Sequence, residues 1–270
     1  MCWNAKNGCV PVGGTDMYYV SFGHGETPLI LLPGLSDGLA TVKGKALLLA
    51  WPYRLFFEKY TVYMFSRKND LPDGTSIRDM AADQAEAMGT LGLRDAGVVG
   101  VSQGGMIAQH LAIDHPELVR KLVIAVSAPR ANNMANDFIR RQIGFAERGD
   151  HKGLMIDAAE SSYSESYLKK YRRLYPVIGR IGRPKDYRRF LVNARAILGF
   201  DASDELAKIA CPTMILGGDK DRIVGIDGSR ELHERIAGSE IYVYPGLGHA
   251  AYEEAPDFNG RILRFMENEP

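Results

Sequence analysis

Three kinds of residue that can act together on an acyl group stand at separate places in this 270-residue chain: Ser102, the aspartates at 219 and 221, and His249. A serine hydroxyl is a poor nucleophile at neutral pH. It needs a base to take its proton, and the base needs a carboxylate to fix its tautomer and stabilise the imidazolium. Ser102 lies in Gly100-Val101-Ser102-Gln103-Gly104-Gly105, entered by Val98-Val99 and left through the helix-forming Met106-Ile107-Ala108-Gln109. A strand, a sharp turn and a helix in that order expose a serine clear of a sheet. The turn is tight, so Gly100 and Gly104 stand where a Cβ would collide, and Gly105 lets the helix lie close. The stretch contains neither G-x-G-x-x-G nor a G-K-[ST] ending, so it does not read as a phosphate loop.

In parallel α/β sheets, reactive groups sit beyond the carboxyl ends of the strands. Asp219 and Asp221 both follow the apolar run 213–217, and His249 follows the run 240–244 by way of Pro245-Gly246-Leu247-Gly248. Six histidines are available. His110, His115 and His233 fall in helical sequence or at its ends, His151 lies in a charged helical stretch, and His24 precedes a strand. Only His249 occupies a loop after the last strand, and the chain order is Ser, Asp, His.

The elements that must position these groups alternate. Val10-Pro11-Val12 and the run 17–22 flank Gly13-Gly14-Thr15-Asp16, which suits an antiparallel hairpin at one edge. Runs 28–32 and 61–65 read as strands, and 39–59 is helical in composition with Pro52 as a boundary. A helix from Ser76 to Leu91 opens on a near-capping box of Ser76 and Asp79. After the Ser102 turn come a helix to about Ile113, a strand over 122–126, a strand over 213–217, helices over 229–236 and 256–266, and between those helices the strand 240–244. Strands alternating with helices imply parallel βαβ units and a mostly parallel sheet.

The alternation fails between residues 129 and 200, where no buried strand is legible and a lid of several helices is the natural account. Within it, residues 163–195 hold ten Lys/Arg against Glu165 and Asp186. A solvated face is the favoured explanation; the functional one is a mouth that attracts anionic substrates.

Lysine plus arginine and aspartate plus glutamate both number 33, so no global basic field invites nucleic acid, and 46% apolar content is ordinary for a globular chain. The first nine residues hold no apolar leader, and the longest apolar run is far below membrane-spanning length. The three cysteines, Cys2, Cys9 and Cys211, are odd in number and dispersed, which fits a reducing cytoplasm better than a disulfide framework or a zinc site. Cys211 reads as a small buried apolar residue.

The chain resembles the α/β-hydrolase superfamily over nearly its whole length. The residues that carry the likeness are Gly100-Val101-Ser102-Gln103-Gly104-Gly105 as nucleophile elbow, Gly217-Gly218-Asp219-Lys220-Asp221-Arg222-Ile223-Val224 as acid turn, and Gly246-Leu247-Gly248-His249 as histidine loop. The resemblance implies a mostly parallel eight-stranded sheet with helices on both faces, a core of residues 1–128 and 201–270, and a helical cap over 129–200. It makes Ser102 the nucleophile, His249 the base and Asp221, just before the Arg-Ile-Val turn, the orienting acid, although Gly225 stands where relatives usually carry proline. The oxyanion donors are expected to be the backbone N–H groups of Gln103 and Leu35.

This chain has Pro33-Gly34 where family members often carry His-Gly, and Ser66-Arg67-Lys68-Asn69-Asp70 where many carry an Asp-x-x-Gly turn. A serine nucleophile disfavours the alkyl-enzyme route of epoxide hydrolases and haloalkane dehalogenases. The expectation is therefore a carboxylesterase-like serine hydrolase acting on a small-molecule ester, thioester or similar acyl bond. It needs no metal or cofactor and has no membrane or nucleic-acid partner; a homodimer is the assembly it allows. The alternatives are same-triad C–C bond or enol-lactone hydrolysis, acyl transfer, and a ligand-binding member without turnover.

Overall fold

The computed structural model describes residues 3–180 and 182–268, so Cys2 lies outside the described residues. Strands β1 (Lys6–Val12) and β2 (Thr15–Gly23) form the expected antiparallel hairpin. Beyond it lie β3 (Thr27–Leu32), β4 (Tyr60–Phe65), β5 (Ala96–Val101), β6 (Val119–Ala125), β7 (Thr213–Gly218) and β8 (Glu240–Tyr244). The sheet order is β1-β2-β4-β3-β5-β6-β7-β8, and every pair from β4 to β8 is parallel. The central strands are apolar at consecutive positions because both sheet faces are covered, and successive side chains point to opposite faces. Ile30, Val98, Leu122 and Ile215 pack into one core, and their neighbours Leu29, Val99, Val123 and Leu216 into the other.

The segment 39–59 is less helical than its composition suggests. Only α1 (Ala46–Ala50) and a 3₁₀ stretch (Trp51–Phe56) form, because Gly44 turns the chain at φ 76° and Pro52 occupies the first turn of the tighter helix. By contrast, α2 (Ile77–Thr90) begins on a complete capping box. Ser76 Oγ accepts from the Asp79 amide at 3.1 Å, and Asp79 accepts from the Ser76 amide at 2.8 Å. Helix α3 (Gln103–Asp114) follows the serine turn.

Among the described residues, five α-helices leave the sheet between β6 and β7: α4 (Asn133–Glu147), α5 (His151–Ser162), α6 (Glu165–Tyr171), α7 (Tyr175–Ile178) and α8 (Arg188–Leu198). The chain leaves and re-enters the sheet side by side, with Ala131 N donating to Phe200 O at 3.0 Å and Ala202 N to Pro129 O at 2.8 Å. Helix α4 buries Ala135, Phe138, Ile139, Gln142 and Ala146 along one stripe, the spacing that seats a helix on a core. The chain closes with α9 (Ile226–Arg235), α10 (Ala251–Glu254) and α11 (Phe258–Glu267). Among the described residues, no helix is long and apolar enough to cross a membrane. Cys211 is half-buried rather than fully buried, and burial pushes its thiol pKa up.

Candidate active site

The serine turn owes its shape to residues that lack side chains. Ser102 has φ 54° and ψ −118°, a backbone conformation that costs a side-chain-bearing residue about 1–3 kcal/mol. A Cβ on Gly100 would lie 2.4 Å from Gly104 O, and one on Gly104 would lie 1.9 Å from Leu32 O, so neither position admits any other residue. Two hydrogen bonds hold the turn against the end of β6, Ser102 N to Ala125 O at 2.9 Å and Ser127 Oγ to Ser102 O at 2.9 Å, and Val126 N to Leu216 O at 2.7 Å ties that end to β7. Val126 itself sits at φ 44°, an uncommon conformation for a β-branched residue that no local sequence signal announces.

Ser102, His249 and Asp221 come together from the ends of three strands. His249 Nε2 lies 2.9 Å from Ser102 Oγ, and its Nδ1 lies 2.8 Å from Asp221 Oδ2. The other Asp221 oxygen accepts the amides of Ile223 at 2.8 Å and Val224 at 3.0 Å. Burial pushes the Asp221 pKa up, but the charge and hydrogen bond of His249 and the two amides outweigh it and hold the carboxyl below its usual range. Asp219 turns elsewhere, accepting the Gly246 amide at 2.7 Å on the surface. Both carboxylates follow β7, yet only one reaches the imidazole. The other histidines lie apart from this chain of contacts: His110 is buried in α3 with its pKa pushed down by burial, and His24 is exposed.

The turn after β3 abuts the serine, since a Cβ on Gly34 would lie 3.4 Å from Ser102 Cβ and 3.9 Å from Oγ. Leu35 thus stands at the serine's edge of the cavity, and Gln103 opens α3, where a first-turn amide has no acceptor within its own helix.

Beneath these two positions runs a polar network that sequence reasoning missed. Arg67 Nη2 donates to Pro33 O at 2.6 Å and to Gln103 Oε1 at 3.0 Å, bridging the two segments meant to supply the oxyanion donors. Gln103 Nε2 in turn donates to Asn193 O in α8 at 2.7 Å. Asp37 accepts the Arg67 amide at 2.9 Å and the Arg189 guanidinium at 2.6 Å. Burial pushes the Arg67 pKa down to about 10, against the attraction of Asp37 and with the help of nearby Arg189, so the group stays charged at neutral pH. The only hint in the sequence was the departure at Ser66-Arg67-Lys68-Asn69-Asp70.

Above the triad a cavity of about 480 Å³ opens into the cap, within the roughly 300–1,000 Å³ typical of small-molecule sites. All five cap helices line it. None of the ten Lys/Arg of residues 163–195 is among the lining residues. Arg172 pairs with Glu160 and Glu165, Arg188 with Asp70, and Arg195 with Glu147. Lys169, Lys170, Arg173, Arg180, Arg183 and Lys185 are exposed. Among the described residues, no group of three His, Cys, Asp or Glu is placed to hold a metal ion.

Residues 29–258 match the profile of the Alpha/beta hydrolase family. The chain is similar to a 2-hydroxy-6-oxononadienedioate/2-hydroxy-6-oxononatrienedioate hydrolase of Pseudomonas sp., 28% identical over 209 residues that cover 72% of each protein. Its fold is that of an alpha/beta hydrolase enzyme from a Medee basin deep-sea metagenome library, with a TM-score of 0.84, 17% identity, and 97% of this chain and 98% of the other covered. The enol-lactonase from Burkholderia xenovorans LB400 superposes with a TM-score of 0.81 at 18% identity, covering 97% of this chain and 100% of the other.

Proposed function

The chain belongs to the alpha/beta hydrolase family, and from that premise we propose that it is a serine hydrolase that cleaves a carboxylic ester or similarly activated acyl bond through an acyl-enzyme. The observation that carries this reading is the continuous hydrogen-bonded chain from Ser102 through His249 to Asp221 at the floor of the cavity. Ser102 Oγ attacks the carbonyl carbon while His249 Nε2 takes its proton, and Asp221 stabilises the imidazolium without itself being protonated. The oxyanion develops between the amides of Leu35 and Gln103, each such donor contributing roughly 10²–10³ in kcat. Collapse of the tetrahedral intermediate expels the alcohol, which leaves with the proton held by His249. A water then repeats the sequence on the acyl-enzyme, giving the acid and restoring Ser102.

The Pseudomonas relative brings a second reading, hydrolysis of a dienedioate by the same three residues. A dioate carries two carboxylates, and no lysine or arginine lines this cavity to pair with them, so ester hydrolysis is preferred. The dispersed cysteines support placing the activity in the cytoplasm. Turnover of p-nitrophenyl butyrate by the wild type and by Ser102→Ala tests the proposal. The variant keeps the wild-type circular dichroism and loses activity by about 10⁶; turnover that survives the substitution removes Ser102 from the mechanism.

A further inference from the structure

Resting on the acyl-hydrolase reading, we infer that the acyl part of the substrate is uncharged and apolar, and that the cavity rejects chains carrying a distal carboxylate. The wall beyond the triad is aliphatic and aromatic: Phe138 and Ile139 from α4, Leu154 and Met155 from α5, Leu168 from α6 and Phe190 from α8. Three of the polar side chains among the lining residues are already engaged. Gln142 donates to Asp157 at 2.7 Å, Tyr175 donates to Glu160 at 3.0 Å, and Tyr163 donates to Glu253 at 2.5 Å. Tyr163, Tyr167 and Tyr171 stack on one another at 4.5 and 4.3 Å between ring centroids, so ring faces are spent on ring faces.

Among the Asp, Glu, Lys and Arg residues, the one on this lining is itself an anion, the exposed Glu253. A carboxylate drawn into the cavity would lose its water, find no cation, and pass Glu253 on the way. Burying an unpaired ion is among the costliest steps available to a binding site.

The tyrosine hydroxyls report the same hostility to negative charge. Burial first, with Glu253 adding to it, pushes the Tyr163 pKa up, and burial first pushes those of Tyr167 and Tyr175 up to about 12. A substrate carboxylate would meet the same low dielectric and the same neighbouring charge. The basic composition of the cap therefore says nothing about the substrate, because nine of its ten cations face solvent or surface acids, the tenth, Arg189, is spent on buried Asp37, and the inner face is apolar.

The test compares p-nitrophenyl octanoate with the mono-p-nitrophenyl ester of suberic acid, which has the same chain length and ends in a carboxylate. The octanoate is expected to exceed the suberate in kcat/KM by at least about 100-fold, with most of the difference in KM. Glu253→Gln, which keeps the acceptor for Tyr163, is expected to narrow that ratio by raising the suberate value several-fold. A suberate within about tenfold of the octanoate overturns the inference while leaving the hydrolase reading intact.

Should neither ester be turned over, the hydrolase reading falls, and calorimetry on Ser102→Ala with octanamide and suberamate still decides the pocket. Binding of octanamide with suberamate at least about 100-fold weaker supports an uncharged ligand; equal binding overturns it.

Discussion

The floor of the cavity is made of polar groups that are buried and paired, and its roof of apolar groups whose charged neighbours, Arg189 apart, face outward. On the floor, Asp221, His249, Gln103 and Arg67 are all almost wholly inaccessible; Gln103 and Arg67 are held by backbone carbonyls of other segments, Asp221 by amides of its own turn, and His249 by the side chains on either side of it. In the roof, Leu154, Leu168 and Phe190 supply shape with no hydrogen bond to aim. A reacting group must be held to within a fraction of an ångström, whereas an acyl chain needs only a dry space of about the right size. Polar precision therefore belongs where bonds change, and apolar tolerance where the substrate merely rests.

Breaking the floor has the largest expected effect. Asp221→Asn leaves the packing intact but frees His249 to take the wrong tautomer, and kcat is expected to fall about 10⁴-fold. Asp219→Asn loses one exposed hydrogen bond to Gly246 and should lower kcat by no more than about tenfold. Steady-state kinetics on the pair decides between the two carboxylates, and an inverted order would move the acid to 219.

Next in size is the bridge beneath the proposed oxyanion donors. Arg67→Met keeps the backbone amide that donates to Asp37 but releases both Pro33 O and Gln103 Oε1. Urea unfolding is expected to show a loss of about 1–3 kcal/mol, as when buried acceptors lose a charged donor. If Arg67 positions the donors, kcat also falls, by roughly 10- to 100-fold with little change in KM; an unchanged kcat would make the residue purely structural.

A smaller effect sharpens the contrast through pH. The folded Asp221 pKa lies below its unfolded value, so folding favours the carboxylate. That stabilisation is complete above the ordinary carboxylate value of about 3.9 and is lost as pH falls through the folded one. The gap in unfolding free energy between wild type and Asp221→Asn should hold steady from about pH 5 to 8 and close below about pH 4. A gap that persists undiminished at pH 3 contradicts the assignment.

The smallest effect is expected in the roof's outer face. Neutralising Lys170 and Arg173 together should change kcat/KM for neutral esters by less than about twofold, since exposed charges far from the reacting atoms are screened. A large fall would show that these cations reach the substrate.

What the sequence made legible follows the same division. That Ser102, Asp221 and His249 meet could be read because the constraints are local: Gly100 and Gly104 are imposed by the turn around Ser102, and Asp221 accepts amides only two and three residues ahead of it. The capping box at Ser76 and the edge hairpin are local in the same way. The Arg67 network was not legible, because its partners are 30 to 122 positions away and nothing nearby in the chain reveals that a guanidinium will be buried. The cap's charge was visible as composition, but which way each cation faces depends on how five short helices pack. The segment 39–59 reads as helical with a boundary at Pro52 because apolar and small residues favour either form, whereas Gly44 as well as Pro52 confines the helix that forms.

The central claim, that Ser102 is a nucleophile activated by His249, is met most directly by treating the protein with a fluorophosphonate probe and mapping the adduct by mass spectrometry. The account predicts one adduct per chain, on Ser102, absent in Ser102→Ala and formed at least about 100-fold more slowly in His249→Ala. An adduct on another residue, or labelling of Ser102 at full rate without the imidazole, would contradict it.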